Sequence, residues 1–230
     1  MPGQDAMERS HLGRFMRGIV GRVGETFNGY PEFYRWSIEK PELFWAEVAR
    51  YTDIRFEQPA ATILDQPGDM QTARWFEGAT LNFAANLLGD ADESAALIFC
   101  DERGRRNVLS RAELASKVAA LAAGMRQAGI RSGDRVAAML PNCPEAVTAM
   151  LAAASIGAVF SSCSPDFGEI AVMDRFGQIE PRLLFVCDGY SYVGKRIDCR
   201  AKAANIASAI PSLEKVIVVP FLDTRPDIQR

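Results

Sequence analysis

Three short stretches hold residue types from which a site could be built. The first is SSCSPDFG, Ser161 to Gly168, which follows a run without a charged residue from Ala146 to Phe160. It passes from hydroxyls and a thiol to a proline, an acid, an aromatic ring and a glycine. That mixture suits a wall against a ligand. It equally suits a plain helix start, with Ser164 as cap and Pro165 in the first turn. The second is DGYSYVGK, Asp188 to Lys195, which contains G-x-x-x-x-G-K. This is most of a phosphate-binding loop, but the motif then asks for Ser or Thr to hold magnesium, and this chain has Arg196. Tyr190 and Tyr192 also stand where backbone amides should wrap the phosphates. A softer reading puts Lys195 and Arg196 at a helix start, facing a phosphate that Gly194 lets come close. A solvated basic helix start is the alternative. The third stretch is PNCPE, Pro141 to Glu145.

Other chemistries are excluded or left without support. The single histidine, His11, removes a histidine-based triad or His-rich metal site within the chain. The five cysteines, Cys100, Cys143, Cys163, Cys187 and Cys199, form no CxxC pair. They read as buried thiols in a reducing cytosol, and the expected location is cytoplasmic. A net charge of −3 gives no reason to expect nucleic acid or an anionic membrane. The uncharged stretch between Glu145 and Asp166 is too rich in alanine and serine for a membrane span, and the N-terminus lacks the apolar core of a signal peptide.

The elements that must position these stretches fall into two textures. Residues 1–90 are rich in aromatics and prolines, with short helices expected at Pro41–Tyr51 and Ala79–Leu88. Trp36, Phe44, Trp45, Trp75 and Phe76 are expected to pack this mostly helical or irregular segment onto something larger. In residues 91–230 strand and helix patterns alternate. Strands are expected at AALIFCDE, NVLS, DRVAAML, AVFSSCS, RLLFVCD and KVIVVP. Between them lie helices, one opened by a Ser110–Glu113 capping box and one written KRIDCRAKAANIASAI. Strands that are apolar throughout and separated by helices imply an α/β fold, a parallel sheet with helices on both faces. Ligands bind such a sheet at the carboxyl ends of its strands, where all three stretches fall.

RWFEGATLNFAANLL, PNCPEAVTAMLAAASIGAVFSSCSPDFG and DRFGQIEPRLLF carry a resemblance, supported by RFMRG, YRWSIEKPELFW and YSYVGKRID. From about Leu12 to about Val219 the chain resembles the acetoacetyl-CoA synthetases, acyl-CoA ligases of the adenylate-forming superfamily. SSCSPDFG with DRFGQIEP is the part specific to the acetoacetate branch. The resemblance implies an acyl-adenylate made from ATP and a carboxylate, then attack by the coenzyme A thiol. It implies ATP and coenzyme A as substrates and Mg2+ in the full-length enzyme, with none held tightly by this chain. The loop with Pro165, Asp166, Phe167 and Gly168 would border the pantetheine path. Tyr192, Gly194, Lys195 and Arg196 would lie near the coenzyme A phosphates. The acetyl-CoA branch commonly has arginines at the positions of Tyr192 and Lys195, and here only Lys195 keeps the charge.

The resemblance also implies an N-terminal fragment. Residues 1–90 would match the acetyl-CoA synthetase N-terminal region, and 91–230 an incomplete first part of the AMP-binding domain. The family's phosphate loop, ribose-holding acid, hinge and C-terminal catalytic lysine do not occur before Arg230, so no catalytic residue is expected in this chain and no activity from it alone. A truncated sheet edge invites self-association. Two alternatives stand beside this reading: a free-standing coenzyme A-binding or regulatory module, and a P-loop nucleotide hydrolase.

Overall fold

Ser10 accepts a hydrogen bond from the Gly13 amide (3.0 Å) and so caps α1 (His11–Val23) in the computed structural model, which describes residues 8–66 and 68–226. α2 (Tyr30–Glu39) and α3 (Pro41–Tyr51) each start with proline in the first turn, where its missing N–H costs nothing. The three helices close on Phe15, Met16, Ile19, Phe33 and Trp36, with Phe44 and Val48 packed against them. Buried Glu47 accepts from Arg22 Nε at 2.8 Å, so its charge is paired. A short antiparallel pair follows, β1 (Thr62–Asp65) and β2 (Arg74–Glu77). These strands of four residues are too short to leave an alternation, and the sequence reading did not anticipate them. Trp36 and Phe44 do belong to a core, but Trp45 and Trp75 stay 43% and 46% exposed, edge to face at 5.9 Å.

The chain divides after Leu81 into two compact units. The second begins at Asn82, whose Oδ1 accepts from the Ala85 amide at 3.0 Å. This cap starts α4 at Phe83 rather than Ala79, so the helix runs Phe83–Leu88. β3 (Ala95–Cys100) and β4 (Arg106–Ser110) form an antiparallel hairpin. The capping box at Ser110 forms as its spacing predicts: Glu113 N donates to Ser110 Oγ (3.1 Å) and Ser110 N to Glu113 Oε2 (2.8 Å), opening α5 (Arg111–Gln127).

Then come β5 (Arg135–Met139), α6 (Pro144–Ser155), β6 (Val159–Cys163), α7 (Glu169–Gly177) and β7 (Leu183–Cys187). A second hairpin, β8 (Gly189–Tyr192) and β9 (Lys195–Asp198), precedes α8 (Arg200–Ala209) and β10 (Lys215–Val219). The central sheet is parallel, in the order β10-β7-β5-β6. Alternation along β5 and β7 divides the core. Val136, Ala138, Leu183 and Phe185 pack with α5 and α6, including Val118 and Ala152. Ala137, Met139, Leu184 and Val186 face α7 and α8 through Phe176 and Ile206. Both faces are covered, which is why these strands are apolar throughout.

At the amino ends of the strands Arg182 Nη1 donates to Asp134 (2.6 Å) and its Nε to Glu214 (2.7 Å). The guanidinium holds the Glu214 carboxyl below its usual range, and at Asp134 it adds to a hydrogen bond from the Arg131 amide. No helix among the described residues is long and apolar enough to cross a membrane.

Candidate functional site

The chain leaves β5 toward β6 across one face, and returns from β6 to β7 across the other. The carboxyl ends of adjacent β5 and β7 therefore flank a reversal of winding, where such sheets open a crevice. The loop Pro141–Cys143 and the hairpin β8–β9 follow these two strands, and Ser164–Gly168 follows the neighbouring edge strand β6 at the same end of the sheet.

Ser164 to Gly168 is a loop, and the reading of Ser164 as a helix cap is corrected. α7 starts at Glu169 with Gly168 in the cap position and no side-chain cap bond. Pro165 is fully buried, while Asp166, Phe167 and Gly168 are exposed. Lys202 on α8 donates from Nζ to the carbonyl oxygens of Pro165 (2.8 Å) and Phe167 (3.0 Å). The Arg175 guanidinium lies over the Phe167 ring, 5.2 Å from its centroid. Neither Lys202 nor Arg175 was picked out from the sequence, because each acts on the loop from a later helix.

The G-x-x-x-x-G-K stretch is also corrected. It is not a strand-to-helix loop, and Lys195 is not at a helix start, because α8 begins at Arg200. Tyr190 pairs with Ile197 and Tyr192 with Lys195 across an antiparallel hairpin. Val193 (φ 49°) and Gly194 (φ 72°) make its two-residue turn, the positive-φ geometry that matches strand twist. Gly194 serves this turn, and a Cβ there would face open space. The close approach is at Gly189, where a Cβ would stand 2.3 Å from the Ile197 carbonyl oxygen. Without a loop wrapping the start of a helix, this stretch does not have P-loop geometry.

Arg196 pairs with Asp223 at 2.6 Å, and the Gly194 amide donates to Glu102 Oε1 at 3.3 Å. The Lys195 side chain has no hydrogen-bond or ion-pair partner among the described residues, and Tyr192 is 65% exposed. No hydrogen bond or ion pair joins the hairpin tip to Pro165–Gly168 among the described residues. The nearer coupling is through Tyr190, whose phenol is pushed up first by burial and then by the Asp166 charge.

Asp188, also not singled out for chemistry, is a structural acid. Its carboxylate accepts the amides of Phe221 (2.7 Å), Leu222 (3.0 Å) and Asp223 (2.8 Å), binding the segment after β10 to the end of β7. A cavity of about 410 Å³ opens near Arg106, Asn107 and Phe221; Cys143, Pro144 and Glu145 of the PNCPE stretch line it, and no residue of the other two stretches does. No group of three or more His, Cys, Asp and Glu among the described residues could hold a metal ion.

Four of the five cysteines are buried, but Cys100 is exposed, which corrects the reading of all five as buried. Burial pushes the Cys143 and Cys163 thiols up to about 11 from an ordinary 9.0. The Cys187 thiol is raised by its hydrogen bond with Cys199 and by burial. Iodoacetamide is therefore expected to label Cys100 first, with Cys143 and Cys163 slow near neutral pH, as peptide mapping would read. The native state keeps protons on these two thiols that the unfolded chain releases. Their contribution to stability is therefore complete below the ordinary thiol value and lost as pH rises toward about 11. Rapid labelling of Cys163 at pH 7 in the folded protein would contradict this.

A family model described as "AMP-binding enzyme" matches residues 87–229, and one described as "Acetyl-coenzyme A synthetase N-terminus" matches residues 30–87. The acetoacetyl-coenzyme A synthetase of Rhizobium meliloti is 42% identical over 222 residues, covering 96% of this chain and 34% of the relative. The acetoacetyl-CoA synthetase of Macaca fascicularis is 37% identical over 227 residues, covering 97% of this chain and 34% of the relative. The solved structure of acetoacetyl-CoA synthetase from Streptomyces lividans superposes with a TM-score of 0.90 at 42% identity, covering 99% of this chain and 36% of that one. The chain thus spans about a third of the length of the relatives it matches.

Proposed function

The chain belongs to the AMP-binding enzyme family, and from that premise we propose that it is the N-terminal part of an AMP-forming acetoacetate–CoA ligase, working in the cytoplasm. The reading is carried by one observation, the 42% identity to a solved acetoacetyl-CoA synthetase across 99% of this chain. In the reaction a carboxylate oxygen of acetoacetate attacks the α-phosphorus of ATP and diphosphate leaves. The coenzyme A sulfur then attacks the acyl carbon and gives up its proton, and AMP leaves. Magnesium would accompany ATP. The described residues offer it no cluster of three or more His, Cys, Asp or Glu ligands.

The part proposed for this chain lies on the coenzyme A side. Pro165, Asp166, Phe167 and Gly168 would wall the path of the thiol-bearing arm. The hairpin tip, with Tyr192, Gly194, Lys195 and Arg196, would face its phosphates. Lys195 is the suited cation, because it is exposed and unpaired among the described residues, whereas Arg196 is engaged by Asp223.

In the full-length ligase Lys195→Ala is expected to raise KM for coenzyme A about fivefold, the upper end for an exposed ion pair. The effect should shrink at high salt. Acetoacetate-dependent exchange of diphosphate into ATP, which needs no thiol, should not change. A loss of that exchange with an unmoved KM for coenzyme A would place the hairpin on the ATP side and overturn the assignment.

A further inference from the structure

Lys202 gives the Ser164–Gly168 loop a shape that the loop does not give itself. Within the loop the only backbone hydrogen bond among the described residues is the long one from Phe167 N to Ser164 O, at 3.3 Å. Proline has no N–H to donate, and neither Ser164 nor Gly168 supplies a side-chain cap to α7. One ammonium group supplies the further ties. Lys202 Nζ donates to Pro165 O at 2.8 Å and to Phe167 O at 3.0 Å, bridging two carbonyls two residues apart. Among the described residues Lys202 pairs with no carboxylate, and two of its three donors go to the loop. Asn205, one turn further along α8, donates to Glu169 at 3.2 Å and ties the first residue of α7 to the same helix. Arg175 lies over the Phe167 ring.

The helix that holds the loop is also attached to the hairpin. α8 follows β9 directly, and the Cys199 amide before it donates to the Asp188 carbonyl at 3.0 Å, at the base of β8. Hairpin and loop are therefore referenced to one helix, although they share no hydrogen bond or ion pair among the described residues.

We propose that Lys202 is a positioning residue for the thiol-transfer step: it fixes the Pro165 and Phe167 carbonyls and so sets the opening along which the coenzyme A thiol reaches the acyl-adenylate. The proposal rests on the reading of this loop as a wall of that path. It assigns Lys202 no contact with substrate. Its effect passes through backbone geometry, where displacement of a path by a fraction of an ångström is felt in rate.

The test compares Lys202→Met, which keeps the aliphatic length and removes the ammonium, with Lys202→Arg, whose guanidinium can still donate to both carbonyls. In the full-length ligase the Met variant should slow coenzyme A-dependent thioester formation about tenfold while leaving acetoacetate-dependent diphosphate exchange in place. Amide hydrogen exchange in 166–169 should speed up in the same variant, and Arg should restore both readings most of the way. Unchanged hydrogen exchange in the Met variant would overturn the role of Lys202 whatever the loop does. Faster hydrogen exchange with undiminished thioester formation would instead overturn the placing of this loop on the thiol path. Equal loss of both half-reactions would make Lys202 a general structural residue and end the proposal.

Discussion

Gly189→Ala is expected to destabilise the second unit by about 2–3 kcal/mol, the upper range for forcing an atom into a packed site. The added Cβ would meet the Ile197 carbonyl oxygen at 2.3 Å and Leu222 Cδ1 at 2.6 Å. Leu222 has a flexible end that can turn away, but the carbonyl is backbone of the paired strand β9. Relief therefore requires the Gly189–Asp198 register to open, at the point where the hairpin joins the fully buried end of β7. Chemical denaturation should show a lowered midpoint with unchanged slope, and limited trypsin digestion should show faster cleavage at Lys195 and Arg196. Gly194→Ala is the control. Its Cβ would stand in open space at φ 72°, so only backbone strain of about 1 kcal/mol is expected. If Gly189→Ala unfolds no more easily than Gly194→Ala, the close packing of β8 on β9 is not as described.

The second large effect is the contrast between this chain by itself and a ligase containing it. Adenylation needs groups that hold the triphosphate and stabilise charge on the leaving diphosphate. The one stretch here that resembled a phosphate loop, Gly189 to Lys195, is a hairpin whose first glycine is taken up by Ile197 and whose second makes the turn. Lys202 is occupied by two carbonyls, and Arg182 by Asp134 and Glu214. The 230-residue chain is accordingly expected to be catalytically silent. It is also expected to self-associate through the outer strands of its sheet. Val159 on β6 and Val216 on β10 are 53% and 41% exposed, and each strand has an unpaired edge within the sheet. Sedimentation as a monodisperse monomer would argue against that association.

What could be read from the sequence was what is local. The continuous apolar runs of β5 and β7, the proline starts of α3 and α6 and the Ser110–Glu113 box each depend on residues a few positions apart, and all formed. The α/β alternation then put SSCSPDFG at the carboxyl edge without any structural information. The hairpin was misread although a signal was present: Tyr190, Tyr192, Lys195 and Ile197 flank a two-residue turn that contains glycine. The obstacle was Val193, a β-branched residue at φ 49°, which local propensity argues against. The clamp on the loop could not be read at all. Lys202 lies 37 and 35 residues from the carbonyls it holds, and only the packing of α8 beside α7 brings it there. The exposure of Cys100 likewise depends on its place at the end of β3, in a hairpin hydrogen-bonded separately from the parallel sheet.

The most direct test of the central claim is exchange of labelled diphosphate into ATP with acetoacetate as the only carboxylate. It should be run on the 230-residue chain and on a full-length ligase that contains it. Background exchange is expected from the chain alone. Clear acetoacetate-dependent exchange is expected from the full-length protein, with acetoacetyl-CoA and AMP formed in equal amounts once coenzyme A is added. Exchange by the chain alone, or a full-length protein indifferent to acetoacetate, would contradict that claim.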